Sequence, residues 1–289
     1  MLIDSADSAV PRTRWKVLKQ RVLTASVLIP LVVLATLYLP AGHYAALLAV
    51  FIGLGAWEWA GLCGYPAFGK VTFVTLVLML LSGCFLSRHT VLSAILINLA
   101  SIWWLAATAL MISQQRRQQL SLGGRHVKAA VGILVLVPAW LSLVMLHGVR
   151  EGRVYVIFLL ALIWLADGAA YFCGHRWGKT KLAGIISPGK TWEGVLGALL
   201  ASTLVSALFA LATGIRAADI IMFSIICVIT VMGSIVGDLI ESLLKRLAQV
   251  KDSGSVFPGH GGVLDRIDSL TAAAPVFLTG LWLLQRSAE

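Results

Sequence analysis

Charge is what this sequence has least of: 12% of its 289 residues are charged and 59% are hydrophobic, whereas an ordinary soluble domain carries about 25% charged residues. Too little polar surface is available to face water, which excludes a soluble globular fold. Cysteine is also scarce. Cys63, Cys84, Cys173 and Cys227 lie far apart, in or beside apolar segments, with no Cys-x-x-Cys pair. That pattern excludes a zinc module and a disulfide framework and leaves packing as their expected role. The chain has no repeat, no low-complexity tract and no segment that reads as a soluble domain.

What the chain has instead is a succession of apolar runs that approach or reach the roughly 20 residues a helix needs to cross a bilayer. Windows between charged or Gly/Pro-bearing breaks predict nine helices, at 22–39, 43–62, 70–87, 91–112, 129–147, 153–173, 192–213, 218–245 and 268–285. The second window is diluted by Gly53, Gly55 and Glu58, and only a short link from Gly64 to Lys70 separates it from the third. A re-entrant hairpin is the alternative there. The first run follows a basic arm but lacks a small-residue cleavage pattern before His43, so it is expected to remain as a membrane helix. The expected fold class is therefore all-α, a polytopic membrane helix bundle. Three regions are expected: a basic arm at 1–21, N-terminal membrane helices at 22–150 and a catalytic membrane region at 151–289.

Nine crossings with a cytoplasmic N-terminus place 18 of the 23 basic residues on the inner side, leaving Arg88, Arg150, Arg153, Arg216 and Arg286 outside. This is the bias that the positive-inside rule demands of that orientation. The net charge of +10 is thus mostly topological. Basic residues dispersed over inner loops argue against nucleic acid as a partner and for anionic lipid headgroups.

Outer loops are short, so chemistry is expected at the inner face. Polar residues crowd into two inner segments, Asp167 to Glu193 and Asp238 to Asp268. Asp238, Glu241 and Lys245 are spaced by three and four and share one stripe of the eighth helix. Asp265 and Asp268, three apart at the start of the ninth, can converge with them across the intervening loop. Such carboxylates repel one another near a membrane unless cations join them. Oxygen-only ligands suit a hard ion such as Mg2+, which also binds substrate phosphates. Lys245, Arg246, Lys251 and Arg266 are expected to bind phosphate oxygens, and Gly259, Gly261 and Gly262 let backbone amides approach an anion. For His260, phosphate contact, proton movement and a structural hydrogen bond all stay open.

Ser242-Leu-Leu-Lys-Arg, Lys251-Asp252, Pro258-Gly-His-Gly-Gly and Asp265-Arg-Ile-Asp268 together resemble the signature of the phosphatidate cytidylyltransferases, or CDP-diacylglycerol synthases. The resemblance implies a multi-helix membrane enzyme, commonly a homodimer. Its reaction joins CTP and phosphatidate into CDP-diacylglycerol and pyrophosphate, with Mg2+ and with K+ as a candidate second cation. A bacterial inner (plasma) membrane, with the active site facing the cytoplasm, is the expected location. On the family's pattern Asp238 and Asp265 match the Mg2+-binding aspartates, with Asp268 close to a second cation; Glu241 joins them on spacing alone. Lys251 is assigned with the three aspartates to the catalytic set. Asp167, Tyr171, Gly174, Gly178 and Ser187-Pro-Gly-Lys-Thr-Trp-Glu193 resemble a second family segment, in which Ser187, Lys190 and Thr191 are the expected phosphate contacts beside Asp167. Gly189 departs from the family, which often has a second lysine there. The informative part of the resemblance is the C-terminal half.

Residues 184–191 also fit the P-loop pattern, but no strand and no βαβ unit is predicted around them, so a P-loop nucleoside triphosphatase is rejected. Even so, Gly189, Lys190 and Thr191 are expected to open a helix whose first amides favour an anion. Plainer readings stand beside the functional ones. Asp238, Asp265 and Asp268 can serve as interfacial salt-bridge partners of Lys245, Arg246 or Arg266; Asp167 can pair with Lys179; and Lys190 can be a topological anchor. Glu58, between Trp57 and Trp59, reads as an interfacial residue, and His43, His89, His126, His147 and His175 as structural. An ion or solute transporter, or another Mg2+-dependent lipid-headgroup transferase, are the rival functions. A midplane site between repeats, which transport would favour, does not match polar residues gathered at one side.

Overall fold

A computed structural model describes residue 24 and residues 26–256 and 261–286. The basic arm at 1–21, the beginning of the first predicted helix and His260 lie outside the described residues. The helices are α1 (Ser26–Tyr38), α2 (Ala41–Leu62), α3 (Ala67–Leu86), α4 (Val91–Arg117), α5 (Arg125–Gly148), α6 (Gly152–Trp177), α7 (Trp192–Thr213), α8 (Ile220–Leu247) and α9 (Leu264–Arg286). Among the described residues, eight of them, α2 to α9, are long and apolar enough to cross a membrane. The chain is an all-α integral membrane bundle.

Several helices run beyond the apolar windows because a bilayer-length window stops at the first polar residues while the hydrogen-bonded ladder does not. α4 continues to Arg117, α6 to Trp177, and α5 and α9 begin earlier, at Arg125 and Leu264. The link between α6 and α7 holds an unpredicted element, an antiparallel hairpin of β1 (Lys181–Ala183) and β2 (Ser187–Thr191) that pairs Lys181 with Thr191 and Ala183 with Ser187.

Burial sorts the helices. α5 and α9 form the centre, with Leu136, Leu141 and Leu146 on one and Leu264, Ala272, Ala273 and Phe277 on the other almost inaccessible. A second packing centre joins Phe158, Phe209, Phe223 and Phe277, with the first two rings stacked 4.0 Å apart. By contrast Leu196, Leu200, Leu204, Leu208 and Leu211 of α7 are exposed, as lipid-facing side chains are expected to be.

Small residues set how closely helices approach where lipid offers no hydrophobic drive for association. A Cβ on Gly194 or Gly197 of α7 would meet the Ala170 or Ala169 carbonyl of α6. On α8, a Cβ on Gly237 would lie 2.6 Å from the Asp268 carbonyl oxygen of α9. This contact draws the α8 residue next to Gly237, Asp238, towards Asp268.

Contacts across the chain define the two ends. Arg153 donates to the Leu37 carbonyl and a His147 ring nitrogen lies 3.0 Å from the Thr36 carbonyl oxygen at one end. At the other, Trp59 donates to the Lys128 carbonyl and Arg246 to the Ile186 carbonyl, tying α2 to α5 and α8 to the hairpin. Both polar inner segments lie at this second end. Gly237→Val should force α8 and α9 apart, at a cost of about 1–3 kcal/mol. The expected outcome is a lower unfolding temperature in detergent together with loss of whatever activity the α8–α9 carboxylates support, whereas Gly83→Val, at an open position, should change neither.

Candidate active site

The stripe on α8 forms as its spacing requires, since residues three and four apart on a helix face the same way. Asp238 and Glu241 of α8 and Asp268 of α9 converge so that one carboxylate oxygen from each lies within 4.8 Å of the others. Unit charges at that separation repel by about 3 kcal/mol per pair at an effective dielectric constant of about 20. Two lysines flank the group. Lys190 of β2 pairs with Asp238 Oδ2 at 2.7 Å, and Lys245 pairs with Glu241 Oε2 and with Asp265 Oδ1, both at 2.6 Å. Ser242 donates to Asp238 Oδ1, and Asp167 of α6 lies within electrostatic reach of Lys190 and Asp238.

Asp265 occupies a different place from the other two aspartates. Its Oδ2 accepts from the Ser253 amide at 2.9 Å, the Ser253 hydroxyl at 2.9 Å and the Gly262 amide at 2.8 Å, while Oδ1 is taken by Lys245. Gly261 adopts φ +83°, and a Cβ there would press on Asp265 Oδ2. A left-handed backbone beside a carboxylate leaves little room for any residue but glycine. Asp265 therefore fastens the α8–α9 loop to Lys245, and Asp268 joins the acidic group instead.

Glu241 is 1% exposed. The Lys245 ammonium lies 2.6 Å from its Oε2, and its Oε1 has no hydrogen-bond partner among the described residues. A buried carboxylate so poorly satisfied, facing two others, is costly unless a cation shares it. All-oxygen donors of this kind fit a hard divalent ion, and Asp238, Glu241 and Asp268 are the residues that would hold it.

The remaining predicted residues distribute around this group. Ser187 and Lys190 lie on β2. Thr191 is buried and its hydroxyl accepts from the Gly194 amide at 3.2 Å, which makes it the N-cap of α7. The expected helix start at Gly189 to Thr191 is thus corrected: these residues are strand, because pairing with β1 satisfies their backbone, and α7 begins at Trp192. Arg246 is committed to the hairpin through Ile186, and Arg266 is exposed on the first turn of α9. Lys251 is exposed in the loop, where Gly261 and Gly262 also lie.

Sequence reasoning misplaced Glu58. It is 6% exposed, and its carboxylate accepts from the Val263 amide at 3.0 Å and the Leu264 amide at 2.8 Å, with the Ser253 hydroxyl, shared with Asp265, 2.9 Å from Oε2. It is the only acidic residue between Asp7 and Glu151, and an isolated acid in an apolar membrane segment was the signal that could have found it.

An all-helical membrane bundle with a lysine-flanked carboxylate group at one end defines a membrane-embedded enzyme of the phosphate-transfer kind more readily than a transporter. The chain matches the model of the cytidylyltransferase family over residues 19–284. It is 41% identical to the phosphatidate cytidylyltransferase of Pseudomonas aeruginosa over 266 residues, 92% of this chain and 97% of that protein. To the phosphatidate cytidylyltransferase of Haemophilus influenzae it is 37% identical over 280 residues, covering 90% of this chain and 97% of that one. The one from Bacillus subtilis matches at 41% over 126 residues, 44% of this chain and 46% of its own length. The chain belongs to the cytidylyltransferase family.

Asp265→Asn removes the charge facing Lys245 and turns an amide NH2 towards the donors of Ser253 and Gly262. Turnover in a cytidylyl-transfer assay should fall at least a hundredfold, while membrane insertion, followed by fractionation, is unchanged.

Proposed function

We propose that this protein transfers CMP from CTP to phosphatidate, producing CDP-diacylglycerol and pyrophosphate for phospholipid synthesis. The observation that carries the proposal is the gathering of Asp238, Glu241 and Asp268 between Lys190 and Lys245 at one end of the bundle. Identity of about 40% along nearly the whole length of two phosphatidate cytidylyltransferases supports the same reading.

A phosphate oxygen of phosphatidate attacks the α-phosphorus of CTP. A new P–O–P linkage forms, the bond from the α-phosphorus to the bridging oxygen of the β-phosphate breaks, and pyrophosphate departs with that electron pair. The nucleophile is already ionised, so neither a covalent intermediate nor a strong general base is required. Alignment and charge neutralisation remain as the protein's tasks. Lys190 and Lys245 supply fixed positive charge beside the acidic group, and Ser187, Lys251, His260, Arg266 and the Gly261 amide are the proposed phosphate contacts, while Thr191, Arg246 and the Gly262 amide, expected among them, hold the hairpin and the loop instead. Asp167 orients Lys190, and Asp265 holds Lys245 and the glycine loop in register.

Mg2+, held by Asp238, Glu241 and Asp268, would neutralise the triphosphate and polarise its α-phosphate when bound; K+ is the candidate second cation. Placement of the site at one end of the bundle supports a geometry in which phosphatidate reaches it from the bilayer and CTP from water. Basic residues at the same end favour the cytoplasmic face of a bacterial inner membrane by the positive-inside rule. A homodimer is the proposed assembly.

Purified protein in mixed micelles should incorporate label from CTP into CDP-diacylglycerol only when phosphatidate and Mg2+ are both present. Excess unlabelled CTP should compete and prenyl phosphates should not. Label incorporated without phosphatidate, or none with both substrates and Mg2+, would refute the reading.

A further inference from the structure

The catalytic segments all come from the C-terminal half, yet the loop that presents them is fastened by a residue from the second helix. We propose that Glu58 of α2 is a positioning residue for the transfer reaction, fixing the start of α9 so that Asp265 and Asp268 are presented to the site. The proposal rests on the reaction argued above, but its structural basis is independent of it.

The first amides of a helix have no partner within the helix. Two carboxylates hold the amides that lead into and open α9: Asp265 takes that of Gly262, two residues before the helix, while Glu58 takes the Val263 amide just before it on Oε1 and the Leu264 amide, the first of the helix, on Oε2. One of these acids belongs to α9 and the other lies about 200 residues upstream. Glu58 is in effect an N-cap supplied by another helix, and its negative charge lies where the positive end of the helix dipole favours it.

Ser253 completes the arrangement. Its hydroxyl is 2.9 Å from Glu58 Oε2 and 2.9 Å from Asp265 Oδ2. One hydroxyl carries one proton, so it donates to either carboxylate but not to both at once. The slot that receives Glu58 is walled by glycine: a Cβ on Gly254 or on Gly262 would collide with its carboxylate oxygens. A residue there merely to anchor α2 at an interface would not require two glycines, two helix-start amides and a serine to converge on it. Asp265 and Asp268 lie within the first two turns after those amides, so a shift at Leu264 is transmitted directly to both.

The test uses the full-length enzyme in detergent, with Glu58→Ala and the isosteric Glu58→Gln. Three quantities are read in each: turnover and KM for CTP, the Mg2+ concentration giving half-maximal rate, and amide hydrogen exchange by peptide. Expected is a 10- to 100-fold loss of kcat and a several-fold rise in the Mg2+ requirement, with KM for CTP within twofold. Exchange should accelerate at least tenfold in peptides spanning 253–268 and stay unchanged in those from α6 and α7. Parental kcat and Mg2+ requirement in both variants would overturn the proposal. So would acceleration of exchange spread evenly over the chain, since that marks general destabilisation. Should Glu58→Ala not fold, Glu58→Gln decides on the same criteria. If the parent protein makes no CDP-diacylglycerol, the proposed reaction fails, while the exchange arm still reports whether Glu58 holds α9.

Discussion

A carboxylate at the end of an apolar helix bundle must find either a cation or a set of N–H donors, because neither lipid nor packed side chains will solvate it. That constraint organises the functional end of this molecule. Glu58 and Asp265 are satisfied by amides and by Ser253, and their satisfaction fixes the loop between α8 and α9. Among the described residues, Asp238 and Asp268 each accept a single such bond, from the Ser242 hydroxyl and the Ser269 amide, and Glu241 has only the Lys245 ammonium. They face one another, with lysines on two sides, and retain an appetite for positive charge. The five acids thus divide into a pair that binds backbone and a trio that faces itself.

The hairpin between α6 and α7 extends the same logic. It carries Lys190 to Asp238, and it is itself held by Arg246 reaching back from α8 to Ile186 and by Glu193 accepting from the Thr180 amide. Lys190, Lys245 and Arg246 are thus each held by a backbone contact or a second carboxylate. Long flexible side chains lose conformational freedom when fixed, and holding them in advance leaves less to be ordered when a polyphosphate arrives.

Much of this was legible beforehand. Hydropathy located the helices because a membrane segment must be apolar along its length. The spacing of Asp238, Glu241 and Lys245 predicted a shared face because helix geometry is local. Three features were not legible. The hairpin has only eight strand residues and no alternating apolar pattern, so nothing in its composition distinguished it from a loop. Asp265 and Asp268 are equivalent in spacing, but a turn at Gly261 directs the first towards Lys245 and the second towards Asp238 and Glu241. Glu58 lies in a stretch whose resemblance to the family is only hydrophobic character, so nothing local tied it to a loop about 200 residues away.

The sequence by itself determined that this chain lives in a membrane as a helix bundle, and that Asp238, Glu241 and Lys245 share one face of a helix, because hydropathy and i, i+3, i+4 spacing act over distances shorter than a helix. Only the tertiary structure decided which carboxylates face one another and which bind backbone. That choice depends on the approach of α8 to α9 at Gly237 and on the slot that admits Glu58, and contacts between distant segments leave no periodicity in the chain.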